Sequence, residues 1–251
     1  HVIDGATKIT VITHDQKSYS AKLIGKDSKT DLAVLKIQAS DLQPAVYGDS
    51  TKLVVGELSV AIGNPLGQLG GTVTEGIISA LNRDINIDGE VMNLLQTSAA
   101  LNPGNSGGGL FNEYGELVGI VNAKSSGSGI EGIGFAIPIN TVTGIANDII
   151  KYGYVQGRID TGLTLLDIAD TQTALMYRVQ NKGLYVLKVN DSTSKFKSGD
   201  RIISIDGTSI SNSGEFNQVI DKRKVGDSLK VVVNRGNSNV QLDLTLKQAK
   251  E

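Results

Sequence analysis

The chain has 251 residues, 39% of them hydrophobic, with 24 Lys and Arg against 26 Asp and Glu, enough for one or two domains that each bury a core. A net charge of −2 with scattered basic residues gives no polyelectrolyte basis for holding nucleic acid. Cysteine is absent and the two histidines are His1 and His14, which excludes disulfides, thiol catalysis and a Cys- or multi-His-ligated metal; no metal site and no cofactor is expected.

No apolar run reaches the roughly 20 residues that a membrane helix needs, and no signal peptide opens the chain. The protein is therefore either cytosolic or separated from its targeting segment. Short β-rich runs broken by Gly, Asn and Asp predict strands at 8–13, 21–24, 32–37, 58–62, 76–80, 117–123 and 133–137, the pattern of a sandwich or closed barrel. A helix follows Pro138 with Asn140 as its N-cap. Val142, Ile145, Ala146, Ile149 and Ile150 fall at helical spacing and form one apolar stripe, which ends at Gly153. Residues 154–160 read as a linker. Beyond it lies a second β-rich block with one helix at 215–221, introduced by Asn212 and Glu215 at capping-box spacing and carrying Phe216, Val219 and Ile220 on one face.

The stretch Leu-Asn-Pro-Gly-Asn-Ser-Gly-Gly-Gly-Leu at 101–110 has two readings. It is an ordinary hairpin turn, or a loop in which glycines let the Ser106 hydroxyl project while backbone N–H groups converge on one point, as an oxyanion requires. A serine nucleophile also needs a base and a group that orients the base. His14 sits in the polar turn Thr-His-Asp-Gln-Lys and reads as surface, which leaves His1. Asp31 opens the run Asp-Leu-Ala-Val-Leu 30 residues later, and Ser106 follows after another 75. Alone, Asp31 reads more readily as a turn cap than as a catalytic residue. The order His, Asp, Ser is that of chymotrypsin-like double barrels.

With His-Val-Ile at the start, Asp-Leu-Ala-Val-Leu at 31–35 and Gly-Asn-Ser-Gly-Gly at 104–108, the chain resembles the HtrA family of serine proteases. Further matches are Ala-Ile-Gly-Asn-Pro-Leu-Gly at 61–67, Thr-Glu-Gly-Ile-Ile-Ser at 74–79 and Gly-Ile-Gly-Phe-Ala-Ile-Pro at 132–138. Gly-Leu-Tyr-Val at 183–186 and Ser-Gly-Asp-Arg-Ile-Ile-Ser-Ile-Asp-Gly at 198–207 resemble a PDZ domain. The resemblance implies a mostly β protein: a chymotrypsin-like double β-barrel protease domain at 1–153, whose first strands precede His1, then a small α+β PDZ domain at 161–248. It implies a triad of His1, Asp31 and Ser106, with the oxyanion hole at Gly104, Asn105 and Ser106; the N–H groups of Gly104 and Ser106 donate, and Asn105 shapes the loop between them.

Ala100, six residues before Ser106, and Leu101 would line an uncharged specificity pocket that takes small or medium aliphatic side chains. In the second block Thr161, Gly162, Leu163 and Leu165 correspond to the peptide-binding loop and strand, where N–H groups receive a terminal carboxylate and the strand pairs with the peptide. Leu163 and Leu165 read equally as core positions. The implied partners are unfolded proteins and C-terminal peptides. The resemblance also implies a homotrimer, a membrane anchor upstream of His1 and an extracytoplasmic location. Three departures stand out: His1 has no preceding backbone to hold it, so the triad is expected to be poorly formed. Ser98 and Gly109 replace an acidic residue and a proline of the family pattern, and residues 190–197 replace an Ala-rich helical turn. Two other readings compete, a catalytically silent peptide-binding scaffold and an all-β surface protein. The second leaves the glycine-framed serine unexplained, and 4% aromatic residues are few for stacking sugars.

Overall fold

The computed structural model describes residues 1–64, 71–87, 90–102, 104–122, 132–236 and 238–250. The matched stretch at 65–67, Pro103 and Ala123 lie outside them. The chain divides into two compact units, His1–Val155 and Gln156–Lys250.

In the first unit β1 (Ile9–Ile12), β2 (Ser18–Asp27) and β3 (Leu32–Lys36) form an antiparallel three-stranded sheet. β4 (Leu58–Gly63), β5 (Thr72–Ile87), β6 (Glu90–Thr97), β7 (Gly109–Phe111), β8 (Leu117–Val121) and β9 (Gly134–Pro138) close into a barrel in the order β4-β5-β6-β9-β8-β7. Its interior holds Ala61, Ile78, Leu95, Leu110, Val118, Val121 and Ala136. The run expected at 76–80 is the middle of the 16-residue β5. The polar residues Asn82, Arg83 and Asp84 hid the strand's second half, where register shifts between Ile78 and Arg83 accommodate a left-handed Asn82. The short β7 and the whole of β6 escaped the reading for want of a clean alternation.

Helix α1 (Ile139–Tyr152) ends as expected, with Gly153 in the left-handed region donating to the Ile149 carbonyl. Its start differs: Pro138 occupies the N-cap position without a side-chain bond. The Asn140 amide oxygen instead accepts from the Ser50 N–H and hydroxyl, 3.0 Å each, and its Nδ2 donates to Asp49 Oδ1 at 3.0 Å. Asn140 thus ties the helix to the 49–50 turn. Ile145 and Ile149 are buried, whereas Ile150 is 64% exposed and lies off the packed stripe. A second cluster of Met92, Leu94, Phe135 and Ile137 gathers Leu32 of β3 and Val142 of α1 against the barrel wall. That contact fixes the residue before Leu32, which is Asp31.

In the second unit β10 (Ile159–Asp160) pairs with β17 (Lys247–Gln248), so the stretch read as a linker contributes a strand, and Ile159 packs on the core. β11 (Leu163–Ile168), β12 (Gly183–Val189), β13 (Arg201–Ile205), β15 (Ser228–Arg235) and β16 (Ser238–Thr245) form one sheet in that order, with β14 (Thr208–Ser209) beside β13. Two helices, α2 (Thr171–Met176) and α3 (Ser213–Ile220), touch β11. Asn212 caps α3 by accepting from the Glu215 N–H at 2.9 Å, and Glu215 reaches back to the Ser211 N–H at 2.7 Å, one residue earlier than the capping-box spacing implies. The reverse bond holds Glu215 below its ordinary carboxylate range. Residues 190–197 carry no helix.

Asp200, 1% exposed, receives both arms of the Arg235 guanidinium at 2.7 Å and the Lys197 N–H at 2.8 Å. Removing one partner strands a buried charge. Arg235→Ala is expected to destabilise the second unit by about 3 kcal/mol, read as a lower urea midpoint at unchanged slope.

Candidate active site and peptide-binding edge

The turn before β3 builds one side of the first site. Thr30 Oγ1 donates to Asp27 Oδ2 at 2.5 Å, and Asp31 takes a left-handed φ of 57°. This aims the Asp31 carboxylate at His1. Oδ2 lies 2.5 Å from Nδ1 of the imidazole, and Oδ1 lies 2.5 Å from the backbone nitrogen of the same residue. The His–Asp contact of the expected triad forms in this chain. His14 is exposed in the β1–β2 turn.

Asn122 is the residue that sequence reasoning missed. It is 1% exposed, its N–H donates to the Phe135 carbonyl at 2.9 Å, and its Nδ2 donates to Asp31 Oδ2 at 3.2 Å. Its only sequence signal is a polar residue at the end of the apolar run of β8.

The residue before Asn122 holds the serine loop. The Val121 carbonyl accepts from the Gly107 N–H at 2.9 Å, and the Val121 N–H donates to the Gly108 carbonyl at 2.8 Å. Gly104 and Gly107 have φ of 101° and 82°, which L side chains rarely adopt. Asn105 is buried, and its N–H donates to the Asn102 carbonyl at 3.0 Å, so that donor turns into the loop. Ser106 is half-buried. A Cβ built on Gly107 would stand 3.8 Å from Val2 Cγ2, which places the segment beginning at His1 beside the loop. A cavity of about 280 Å3 adjoins the His–Asp pair, lined in part by Asp4, Lys26, Lys29 and Met92. Among the described residues no three His, Cys, Asp or Glu side chains cluster as metal ligands do, and no helix is long and apolar enough to cross a membrane.

The departures from the family pattern have local reasons. Ser98 accepts from the Ile77 N–H through Oγ at 3.0 Å and pins the 98–100 segment to β5. The Phe111 ring fills the space at Gly109, where a Cβ would meet it at 2.5 Å. Ala100 is exposed, whereas Leu101 is half-buried against the barrel core, so Leu101 serves packing at least as much as any pocket.

In the second unit β11 is an edge strand, bonded to β12 on one side only. Leu163 and Leu165 are half-buried and pack on the core that includes Phe216 and Ile220 of α3. Asp167 binds the Ser213 N–H at 2.8 Å and the Ser213 hydroxyl, fastening α3 beside the strand. Gly162, at φ 68°, donates its N–H to Asp160 Oδ1 at 2.7 Å, and the Leu163 N–H donates to Thr161 Oγ1 at 3.3 Å.

A barrel that carries a histidine–aspartate pair beside a glycine-framed serine, followed by a strand-edge and helix module, defines a trypsin-like serine peptidase joined to a PDZ domain. Residues 1–120 match the family model for a trypsin-like peptidase domain, and residues 172–246 match that for a PDZ domain. The chain is 41% identical over 269 aligned positions to the serine protease Do-like HtrB of Bacillus subtilis, with 100% of the chain and 58% of that protein covered. It is 38% identical to the periplasmic serine endoprotease DegP of Escherichia coli, covering 100% of the chain and 54% of that protein. The chain thus spans little more than half the length of these relatives. Among solved structures, the HtrA-type protease AlgW with a decapeptide superposes at a TM-score of 0.62 with 36% identity, covering 99% of this chain and 78% of that one. The chain belongs to the HtrA family of serine proteases.

The loop's tight backing yields a stability test. A Cβ on Gly108 would fall 2.3 Å from the Ile62 carbonyl oxygen, whereas one on Gly144 in α1 meets nothing within 4 Å. Gly108→Ala is expected to cost about 2–3 kcal/mol and Gly144→Ala to add about 0.5–1 kcal/mol, compared by thermal unfolding.

Proposed function

We propose that the protein is an ATP-independent serine endopeptidase that hydrolyses peptide bonds of unfolded polypeptides through an acyl-enzyme. The observation that carries this reading is the 2.5 Å contact of His1 Nδ1 with an Asp31 carboxylate braced by Asn122, beside the Ser106 loop. Asp31 on Nδ1 leaves Nε2 as the nitrogen that takes the proton of Ser106 Oγ as it attacks the scissile carbonyl. His1 then returns that proton to the leaving amine, and Asp31 stabilises the imidazolium in between. Water then attacks the ester carbonyl as His1 takes its proton; the acyl–Oγ bond breaks and His1 returns the proton to Ser106 Oγ, which releases the carboxylic acid. The N–H groups of Gly104 and Ser106 serve the tetrahedral oxyanion, with Asn105 setting their spacing.

The exposed, uncharged Ala100 favours small or medium aliphatic side chains at the cleaved position with loose selectivity, since a methylene there is worth only about 1–3 kcal/mol. The periplasmic endoprotease among the relatives supports action outside the cytoplasm; a quality-control role on unfolded or misfolded exported protein and a homotrimeric assembly belong to the same reading. The peptidase domain occupies 1–153, and the PDZ domain, taken as 161–248 with β10 joined to it, supplies a peptide-binding edge at β11.

Casein cleavage by the protein, followed with time, is expected to vanish in Ser106→Ala and to fall by about 10⁴-fold in Asp31→Asn. Cleavage that survives Ser106→Ala overturns the assignment. Asn122→Ala removes one hydrogen bond to a charged group, typically worth about 1.5–3 kcal/mol. It is expected to lower kcat about 10–100-fold with little change in KM.

A further inference from the structure

The donors that a peptide's terminal carboxylate would need at β11 are already engaged by the chain itself. Within residues 160–163 the Gly162 N–H is held by the Asp160 carboxylate at 2.7 Å, and the Leu163 N–H turns toward Thr161 Oγ1 at 3.3 Å. Asp160 is exposed, and by accepting from the Gly162 N–H it takes the place that an incoming carboxylate would need. A second carboxylate backs the same glycine: a Cβ on Gly162 would lie 3.0 Å from Asp191 Cβ.

The cation facing Asp160 across the ladder does not offset it. Lys247 pairs with Asp160 across the β10–β17 ladder, yet its ammonium goes to Asp191 Oδ2 at 2.6 Å. That ammonium, with the Thr193 hydroxyl and N–H, holds Asp191 well below the usual carboxylate range, so it stays charged. Among the described residues no ion pair is recorded for Asp160. With Lys247 committed to Asp191, an incoming carboxylate meets the like charge of Asp160, and like charges brought together are disfavoured. The β11 backbone beyond the loop has an open edge, which pairs with any extended segment regardless of where that segment ends.

We infer that the second unit captures internal extended segments of unfolded polypeptide along β11, and that Asp160 acts as a built-in carboxylate that discriminates against free C-termini. This rests on the proposed peptide-binding role of β11 and names the class of peptide it takes. Such a preference suits an enzyme that meets unfolded chains mostly away from their ends.

The test uses Ser106→Ala protein, so that probes survive, and four fluorescein-labelled ten-residue peptides of alternating apolar and polar residues, each as C-terminal acid and C-terminal amide. Binding is read by fluorescence anisotropy. The expected result is that each amide binds at least as tightly as its acid, and that adding Asp160→Ala turns the preference to the acid by about tenfold or more. Asp160→Asn is expected to shift the ratio in the same direction and serves as the reading if the alanine variant unfolds. Acids bound tenfold more tightly than amides with Asp160 intact overturn the inference while leaving peptide binding in place. Failure of all eight probes to bind overturns the peptide-binding reading of β11 itself.

Discussion

The first unit depends on the end of one strand. Val121 bonds the serine loop through both its N–H and its carbonyl, and Asn122, the next residue, bonds Asp31 across 91 positions of sequence. Adjacent residues of one backbone thus hold the two parts of the site that come from distant segments. A rigid ladder is what gives this junction its precision: β8 lies between β7 and β9, and Val121 is also a wall of the barrel interior. Catalytic groups gain when the residues that orient them are locked by packing and hydrogen bonds. The barrel core and the site geometry therefore share residues, and damage to the core at Val121 would reach both the loop and the carboxylate.

The second half of that junction is the way Asp31 is presented. Its left-handed backbone is a conformation that Asp tolerates better than most side chains. Leu32 then anchors the strand that follows against Met92, Leu94, Phe135 and Ile137. Strain on one residue is accepted where the neighbouring one is clamped, a common arrangement at functional sites. Asp27 contributes by accepting from Thr30 within the same turn. The reading of Asp31 as a turn residue and the role proposed for it as catalytic acid are therefore compatible: the turn is what aims the carboxylate at His1.

Legibility in the sequence followed the range of the interactions involved. Local signals survived well: Gly153 closes α1, Asn212 caps α3, and the β-rich runs became strands, because each depends on residues a few positions apart. His1, Asp31 and Ser106 could be picked out because their residue types and order are distinctive. The structure brings His1 onto Asp31 and the Val2 side chain beside the serine loop. Asn122 was invisible, since nothing at position 122 announces a partner 91 residues away. Asn140 failed for a related reason: its side chain had a better use in Asp49 and Ser50 than in capping its own helix, and tertiary hydrogen bonding overrode the local preference. Ile150 satisfied the helical period, but the neighbours of α1 cover only a narrower stripe.

The two units answer one physical problem differently, that of recognising a backbone rather than a sequence. In the first, Gly104 and Gly107 turn the serine loop at positive φ, and the Asn105 N–H is turned inward to the Asn102 carbonyl. In the second, the N–H groups at the head of β11 are satisfied by the chain's own Asp160 and Thr161, while the strand edge beyond them is left without a partner strand. A buried N–H without a partner is costly, and the second unit removes that cost with its own side chains. In the proposed function, recognition in the first is concentrated on a developing charge, and in the second it is spread along an extended chain. Under the proposed function, that division lets the enzyme hold a polypeptide at a position unrelated to its ends.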